Sequence, residues 1–312
     1  MRSHSSPDVV IVGAGAMACA LAAKLTHAAD LCMLDGWSAG VDWIAEHGIQ
    51  MQDGEKTLQT DPILASTNPV DYSEPRYALV LVKSWQTKAA AEMLATCLHP
   101  DGIAVTLQNG LGNDDILAGE LGEERVFQGV TSVGAALQGP GHVKVAGWGA
   151  VHLPSHPGVD SLAAIIENAG LQVLREERVD VLQWRKLVVN SVVNPLTALL
   201  DVPNGALLSM PGMEALMRHI AEETARVAKA HKVSLGKNDP YAAVHDVIQM
   251  TATNHSSMLQ DIRRGAPTEI DVINGAVARL AGAYELDAPF NQTLATLIRA
   301  LASKTAGAEE WT

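Results

Sequence analysis

Residues 8–13, DVVIVG, form a β-branched apolar run that stops at a glycine, the pattern of a strand buried on both faces. The segment behind it, AMACALAAKLTHAA, is rich in helix formers, and LCMLD then reads as a second strand. YALVLV and GIAVTL are two further buried-strand candidates, separated by the helical stretch QTKAAAEMLATCL. Strands that alternate with helices predict a doubly wound parallel sheet. From Arg125 to Pro154 the period shortens to alternating strands with glycine turns, which predicts an antiparallel extension to that sheet. A helix, VDSLAAIIENAG, and a strand, LQVL, close this half. After Arg178 nearly every segment has helical period, with breaks near DVPNG, KNDP, RRGAPT and DAP. The boundary is therefore placed near residue 177, between an α/β domain of residues 1–177 and an all-α domain of residues 178–312.

The first strand runs into VGAGAMA, which supplies Gly13 and Gly15, with Ala18 where a third glycine often sits. The first glycine permits a sharp turn, and the second lets a pyrophosphate approach the backbone. The third small residue sets how closely helix and strand pack. Gly13, Ala14, Gly15, Ala16 and Met17 thus form the candidate cofactor turn, and the helix that follows points its free N–H groups at the phosphates. Small-residue turns are common. This one follows a strand, opens a helix and starts a βαβ pattern, so a dinucleotide site is the better reading. Asp35 stands at the end of the second strand. An acidic residue there accepts hydrogen bonds from a ribose 2′-hydroxyl and repels a 2′-phosphate, which favours NAD. A loop aspartate turned to solvent is the competing reading, so the choice of cofactor stays open.

WRKLVVNSVVNPLTALL, beginning at Trp184, is apolar except for Lys186, Asn190 and Asn194. Steps of four place all three on one side of a helix. Leu187, Val188, Val189, Val192 and Val193 fill the spaces between them, so the helix is expected to be buried on most sides. Its polar groups then either pair within the protein or line a cleft that a polar ligand fills. A second cluster holds Asn254, Ser256 and Ser257, then Glu269 at the expected start of another helix. Caps and turn residues around RRGAPT account for part of it, and Asp261 with Arg263 or Arg264 reads equally as surface pairing. Beside a dinucleotide domain, the lysine and amides suggest a reductase. Hydride comes from a nicotinamide, and a lysine stabilises the developing alkoxide and delivers its proton.

Composition narrows the partners. Of 312 residues 47% are hydrophobic and 18% charged, a globular profile, and the net charge of −13 argues against nucleic acid. No apolar run is long enough to cross a bilayer and the amino terminus lacks a signal-peptide core, so a cytoplasmic protein is expected. Cys19, Cys32 and Cys97 are scattered singly, which reads as buried apolar packing. His142, His152 and His156 lack metal-ligand spacing, so no metal is expected and they read as surface or loop residues. The six tryptophans read as packing residues, and the tail GAEEWT is expected to fray.

The signatures GAGAMA, VKSWQ, QNGLG, WRKLVVNSVVNPLTAL, PNG, NHSSMLQDIRRGAPTEID and INGA, in this order, resemble the 2-dehydropantoate 2-reductase (ketopantoate reductase) family across nearly the whole chain. The resemblance implies reduction of 2-dehydropantoate to (R)-pantoate with NADPH, in pantothenate and coenzyme A biosynthesis. It also implies a Rossmann domain followed by a helical domain like the carboxy-terminal domain of 6-phosphogluconate dehydrogenase, with the active site between them. By motif, Lys186 matches the general acid and Glu269 an acidic residue at the substrate's hydroxyl end. Asn190, Asn194, Asn254 and Ser257 match substrate contacts. Asn109 matches an asparagine near nicotinamide and substrate, and Lys83 a lysine that contacts the cofactor. One departure matters: members that prefer NADPH often carry an arginine at the end of the second strand. Here that stretch is LDGWSAG, with no arginine from there until Arg76, so a weakened preference for NADP(H) and use of NAD(H) are expected. A monomer or homodimer is expected. The competing readings are a reductase of another 2-oxo acid, an opine-type dehydrogenase, and a dinucleotide-binding sensor without activity.

Overall fold

The structure, a computed structural model, describes residues 7–306; the tail GAEEWT lies outside them. The chain divides into two compact units. One comprises the chain up to Gln108 together with Gly112–Val179; the other comprises Asn109–Leu111 together with the chain from Asp180.

The first unit opens with β1 (Val9–Val12), α1 (Ala16–Leu25), β2 (Leu31–Leu34), α2 (Ser38–His47), β3 (Gln50–Asp53), β4 (Lys56–Gln59) and β5 (Leu64–Ser66). It continues through β6 (Tyr77–Val80), α3 (Thr87–Cys97), β7 (Ile103–Thr106), α4 (Asn113–Leu121), β8 (Val126–Gln128) and β9 (Val130–Thr131). It closes with β10 (Gly134–Gly139), β11 (His142–Gly147), β12 (Val151–Pro154), α5 (Asp160–Asn168) and β13 (Val173–Glu176). Six strands form one parallel sheet in the order β5-β2-β1-β6-β7-β8. Period two explains its two covers. Val9 and Ile11 join the apolar cluster shared with α1 and α2, while Val10 and Val12 join the one shared with α3 and α4. The direction of chain progress reverses between β1 and β6, which makes the carboxyl ends of those two strands the ligand-binding edge of such a sheet.

The antiparallel extension expected over residues 125–154 is corrected. β8 adds to the main sheet in parallel, as a strand returning through a helical crossover does. The β10–β11 hairpin belongs to a separate sheet, where β11 runs parallel to β3 and β3 antiparallel to β4; β12 joins β9 and β13 in a third. The alternating pattern showed half-exposed strands but not their partner, the β3–β4 hairpin, whose short polar sequence gave no strand signal.

The second unit contains α6 (Val179–Leu200), α7 (Met213–Ala230), α8 (Pro240–Met250), α9 (Ser257–Arg263), α10 (Asn274–Ala283) and α11 (Pro289–Ala306). α6 is its axis. Trp184, Leu187 and Ala198 pack into an apolar cluster with α9, α10 and α11, whereas Val188, Val192, Val193 and Leu196 pack into another with α7 and α8. Two buried faces leave a third for the polar side chains. Among the described residues, no helix is long and apolar enough to cross a membrane.

Candidate functional site

In the first unit the turn after β1 is built by contact. Gly13 has φ +131°, and a Cβ there would lie 3.1 Å from the Leu81 carbonyl carbon and 3.3 Å from the Ala18 Cβ. Glycine is needed at Gly13 for conformation and for the close passage of the chain beyond β6. Gly15 is different. Its φ is ordinary at −79°, and a Cβ would meet nothing within 4 Å. The space in front of Gly15 is open to an incoming group. Gly15 also precedes α1 without a side-chain cap, leaving the first-turn N–H groups near Ala16 and Met17 without a side-chain acceptor from it. A backbone cradle of this kind suits a phosphate.

Asp35 is buried, not turned to solvent. One carboxylate oxygen accepts from the Ala14 N–H at 2.6 Å and the other from the Trp37 N–H at 2.8 Å. Asp35 therefore braces the glycine turn and holds a negative charge beside it. Arg76 precedes β6, at the opposite end of the parallel sheet from Asp35, because Val9 pairs with Tyr77 while Val12 pairs with Leu34. Lys83 follows β6 and its ammonium stands 5.9 Å from the centre of the Trp85 ring. The loop that carries it is anchored from below: Gln108 Nε2 donates to the Val82 carbonyl (2.9 Å) and to the Thr87 hydroxyl (2.8 Å).

The polar face lies in the second unit. Lys186, Asn190 and Asn194 span about 80° of α6 at 3.6 residues per turn. Burial pulls the Lys186 ammonium down from its ordinary 10.5 to about 8, against the pull of the Glu269 carboxylate, which favours the charged form. Glu269 is buried and accepts a hydrogen bond from Asn109 Nδ2 at 3.2 Å. Asn109 reaches it because Asn109–Leu111 is clasped to the turn after Glu269. The Leu111 N–H donates to the Val272 carbonyl (3.0 Å), and Gln183 Nε2 donates to the Gly110 carbonyl (2.9 Å). Gly110, at φ +85°, would bring a Cβ within 2.5 Å of that same Val272 carbonyl oxygen. Lys186, Glu269 and Asn109 are thus gathered into one charged and amide cluster.

Glu269 does not open a helix. Val272 and Ile273 N–H groups both return to the Glu269 carbonyl, so the segment is a turn and α10 begins at Asn274. Asn254 and Ser257 are exposed at the entry to α9, while Ser256 between them is a buried cap whose hydroxyl accepts from the Leu259 N–H. The Thr197 hydroxyl donates to Ser256 Oγ at 2.7 Å, which ties this entry to α6. Asp261 pairs with Arg264 at 3.4 Å, one of the two expected partners, but the aspartate itself is buried, and Arg263 pairs with Asp201 at 2.7 Å.

Of the remaining expectations, those for the cysteines and Trp184 hold and others shift in detail. All three cysteines are buried, and desolvation pushes the Cys19 thiol up to about 12. His142 and His152 lie in strands, and His152 meets Glu176 at 2.7 Å. Trp184 is a packing residue, whereas Trp37 and Trp85 are exposed. Gln108 and Asn274 sit inside QNG and ING, but nothing in the sequence pattern assigned either a role. Only their buried hydrogen bonds do so.

The family model described as ketopantoate reductase PanE/ApbA matches residues 9–158, and its C-terminal counterpart matches residues 178–302. The 2-dehydropantoate 2-reductase of Halobacterium salinarum is 35% identical over 262 residues, covering 82% of this chain and 86% of that protein. A PanE/ApbA family ketopantoate reductase from Ralstonia eutropha JMP134 has a TM-score of 0.89 at 31% identity, over 95% of this chain and 99% of its own. D-mandelate dehydrogenase, solved with NADH and anilino(oxo)acetate, has a TM-score of 0.88 at 26% identity, with the same coverage.

Proposed function

The chain belongs to the ketopantoate reductase PanE/ApbA family, and from that premise we propose that it reduces 2-dehydropantoate to (R)-pantoate with a nicotinamide dinucleotide. The observation that carries this reading is the Lys186 ammonium. Burial has lowered it to about 8, and it shares a helix face with two amides and a local field with Glu269.

Gly13, Ala14, Gly15, Ala16 and Met17 would hold the dinucleotide's pyrophosphate, with Lys83 as a further contact and Asp35 toward the adenosine ribose. When bound, the dinucleotide supplies the hydride. Lys186 gives its proton to the carbonyl oxygen as charge develops there, so hydride and proton together convert the ketone into the secondary alcohol. The neutral amine left behind is re-protonated from solvent. An amine near 8 suits this task, because it is charged at neutral pH yet releases its proton more readily than an exposed lysine. Asn190, Asn194, Asn254 and Ser257 would hold the substrate's oxygens. Glu269 would accept from its hydroxyl group, and Asn109 would orient both substrate and nicotinamide.

Two observations favour NADH at the finer level. The buried Asp35 charge sits where a 2′-phosphate would have to approach, and Arg76 is at the wrong end of the sheet to offset it. The likeness to D-mandelate dehydrogenase, solved with NADH, supports the same choice. It also keeps a second reading in view, an aromatic 2-oxo acid in place of the branched one. A panel of 2-dehydropantoate, 2-oxoisovalerate and phenylglyoxylate, each with NADH and NADPH, tests both points. The proposal requires the highest kcat/KM for 2-dehydropantoate; a preference for phenylglyoxylate would replace it with the second reading.

A further inference from the structure

We propose that Asn274 is a positioning residue, which holds the Lys186 face of α6 against the Glu269 turn by supplying the hydrogen bond that Pro195 removes. The inference rests on the reading of Lys186 and Glu269 given above. Pro195 lies inside α6, and because proline has no N–H, the Ser191 carbonyl four residues earlier loses its helical donor. Ser191 is fully buried, so water does not replace it. Asn274 Nδ2 does, at 2.8 Å.

The direction of that amide is imposed from the other side. Its Nδ2 also donates to Asn291 Oδ1 at 2.9 Å, and Asn291 Nδ2 donates to Glu223 Oε2 at 2.9 Å. Asn291 faces Glu223 with its amino group and therefore faces Asn274 with its oxygen. Glu223 is itself fixed at the start of α11, where it also accepts from the Phe290 and Asn291 N–H groups at 3.0 Å each. Asn274 is then left pointing both hydrogens outward, one of them at Ser191. Its own Oδ1 is buried with no hydrogen-bond partner among the described residues, a cost that the two donated bonds offset.

Position makes this more than a core bond. Ser191 lies between Asn190 and Asn194 in sequence, on the turn of α6 that follows Lys186. Asn274 is the first residue of α10, directly after the turn that begins at Glu269. The Asn274–Ser191 bond therefore joins the lysine's helix to the carboxylate's turn at a distance of five residues from each.

The test measures the pH dependence of Lys186 labelling by an amine-selective acylating reagent, read by peptide mass spectrometry, together with turnover. In the wild type the labelling midpoint is expected at about 8. Asn274→Ala loosens the join and admits water, so the midpoint rises toward that of an exposed lysine, and kcat falls about 10²-fold with KM changed much less. Pro195→Ala restores an N–H to the Ser191 carbonyl, so in that background Asn274→Ala moves the midpoint and kcat by less than half as much. Should Asn274→Ala fail to fold, Asn274→Asp keeps the volume but turns a carboxylate toward the Ser191 carbonyl, and the same upward shift is expected. A folded variant whose midpoint stays at the wild-type value, or an effect equal in both backgrounds, overturns the proposal. The labelling arm does not depend on turnover. A wild type that labels as described but reduces no 2-oxo acid would sink the catalytic reading alone.

Discussion

The turn after β1 and the polar face of α6 present their hydrogen-bonding groups in opposite ways. The turn offers backbone: N–H groups at the start of α1, exposed by small residues and braced by the Asp35 carboxylate from Ala14 and Trp37. The α6 face offers side chains, each held by the packing of a helix that is apolar on two other sides. A backbone site needs the absence of side chains, so it tolerates few changes of residue type and suits a ligand common to many proteins. A side-chain site can exchange one amide or charge for another and so can be tuned to one substrate. Under the proposed reading, general recognition of a dinucleotide and specific recognition of a keto acid would divide along that line.

The largest effect expected belongs to the side-chain site. Lys186→Ala should lower kcat/KM for reduction by about 10³-fold, within the range for loss of a general acid, while circular dichroism stays that of the wild type. A smaller loss would mean that water delivers the proton. The same group sets the pH response. Its proton is present below about 8 and lost above, so kcat/KM for reduction should fall about tenfold per pH unit on the alkaline side. An unchanged rate up to pH 10 would remove Lys186 from the step.

The backbone site should separate two glycines that look alike in sequence. Gly15→Ala places a methyl in open space, so stability should hold while affinity for the dinucleotide drops about tenfold, roughly 1.4 kcal/mol. Gly13→Ala meets the Leu81 carbonyl at a φ that L residues rarely adopt, so urea unfolding should report a loss of about 1–3 kcal/mol. Equal effects at the two positions would dissolve the distinction drawn between them. The smallest change expected is electrostatic. Asp35→Asn removes the charge and keeps one of the two acceptors that serve Ala14 and Trp37, and the ratio of kcat/KM for NADPH over NADH should rise several-fold.

What the chain pattern shows depends on the range of the interaction. β1, the glycine turn and α1 follow from neighbours in sequence, as does the one-sided stripe of Lys186, Asn190 and Asn194. The pairing of Asn109 with Glu269 spans 160 positions, and no local period encodes it. The same holds for the β11–β3 pairing, which displaced the expected extension of the main sheet. Asn274 illustrates the harder case. In sequence it is a polar residue ahead of a glycine at a helix start, and only the Ser191 carbonyl left bare by Pro195 gives it a purpose.

The most direct measurement follows the loss of reduced nicotinamide absorbance with 2-dehydropantoate, using NADH and NADPH in parallel, for the wild type and Lys186→Ala. The account predicts wild-type turnover, with NADH used at least as well as NADPH, and near loss of turnover with both cofactors in the variant. A wild type that binds dinucleotide but is silent with this substrate, or a variant that keeps wild-type rates, would contradict it.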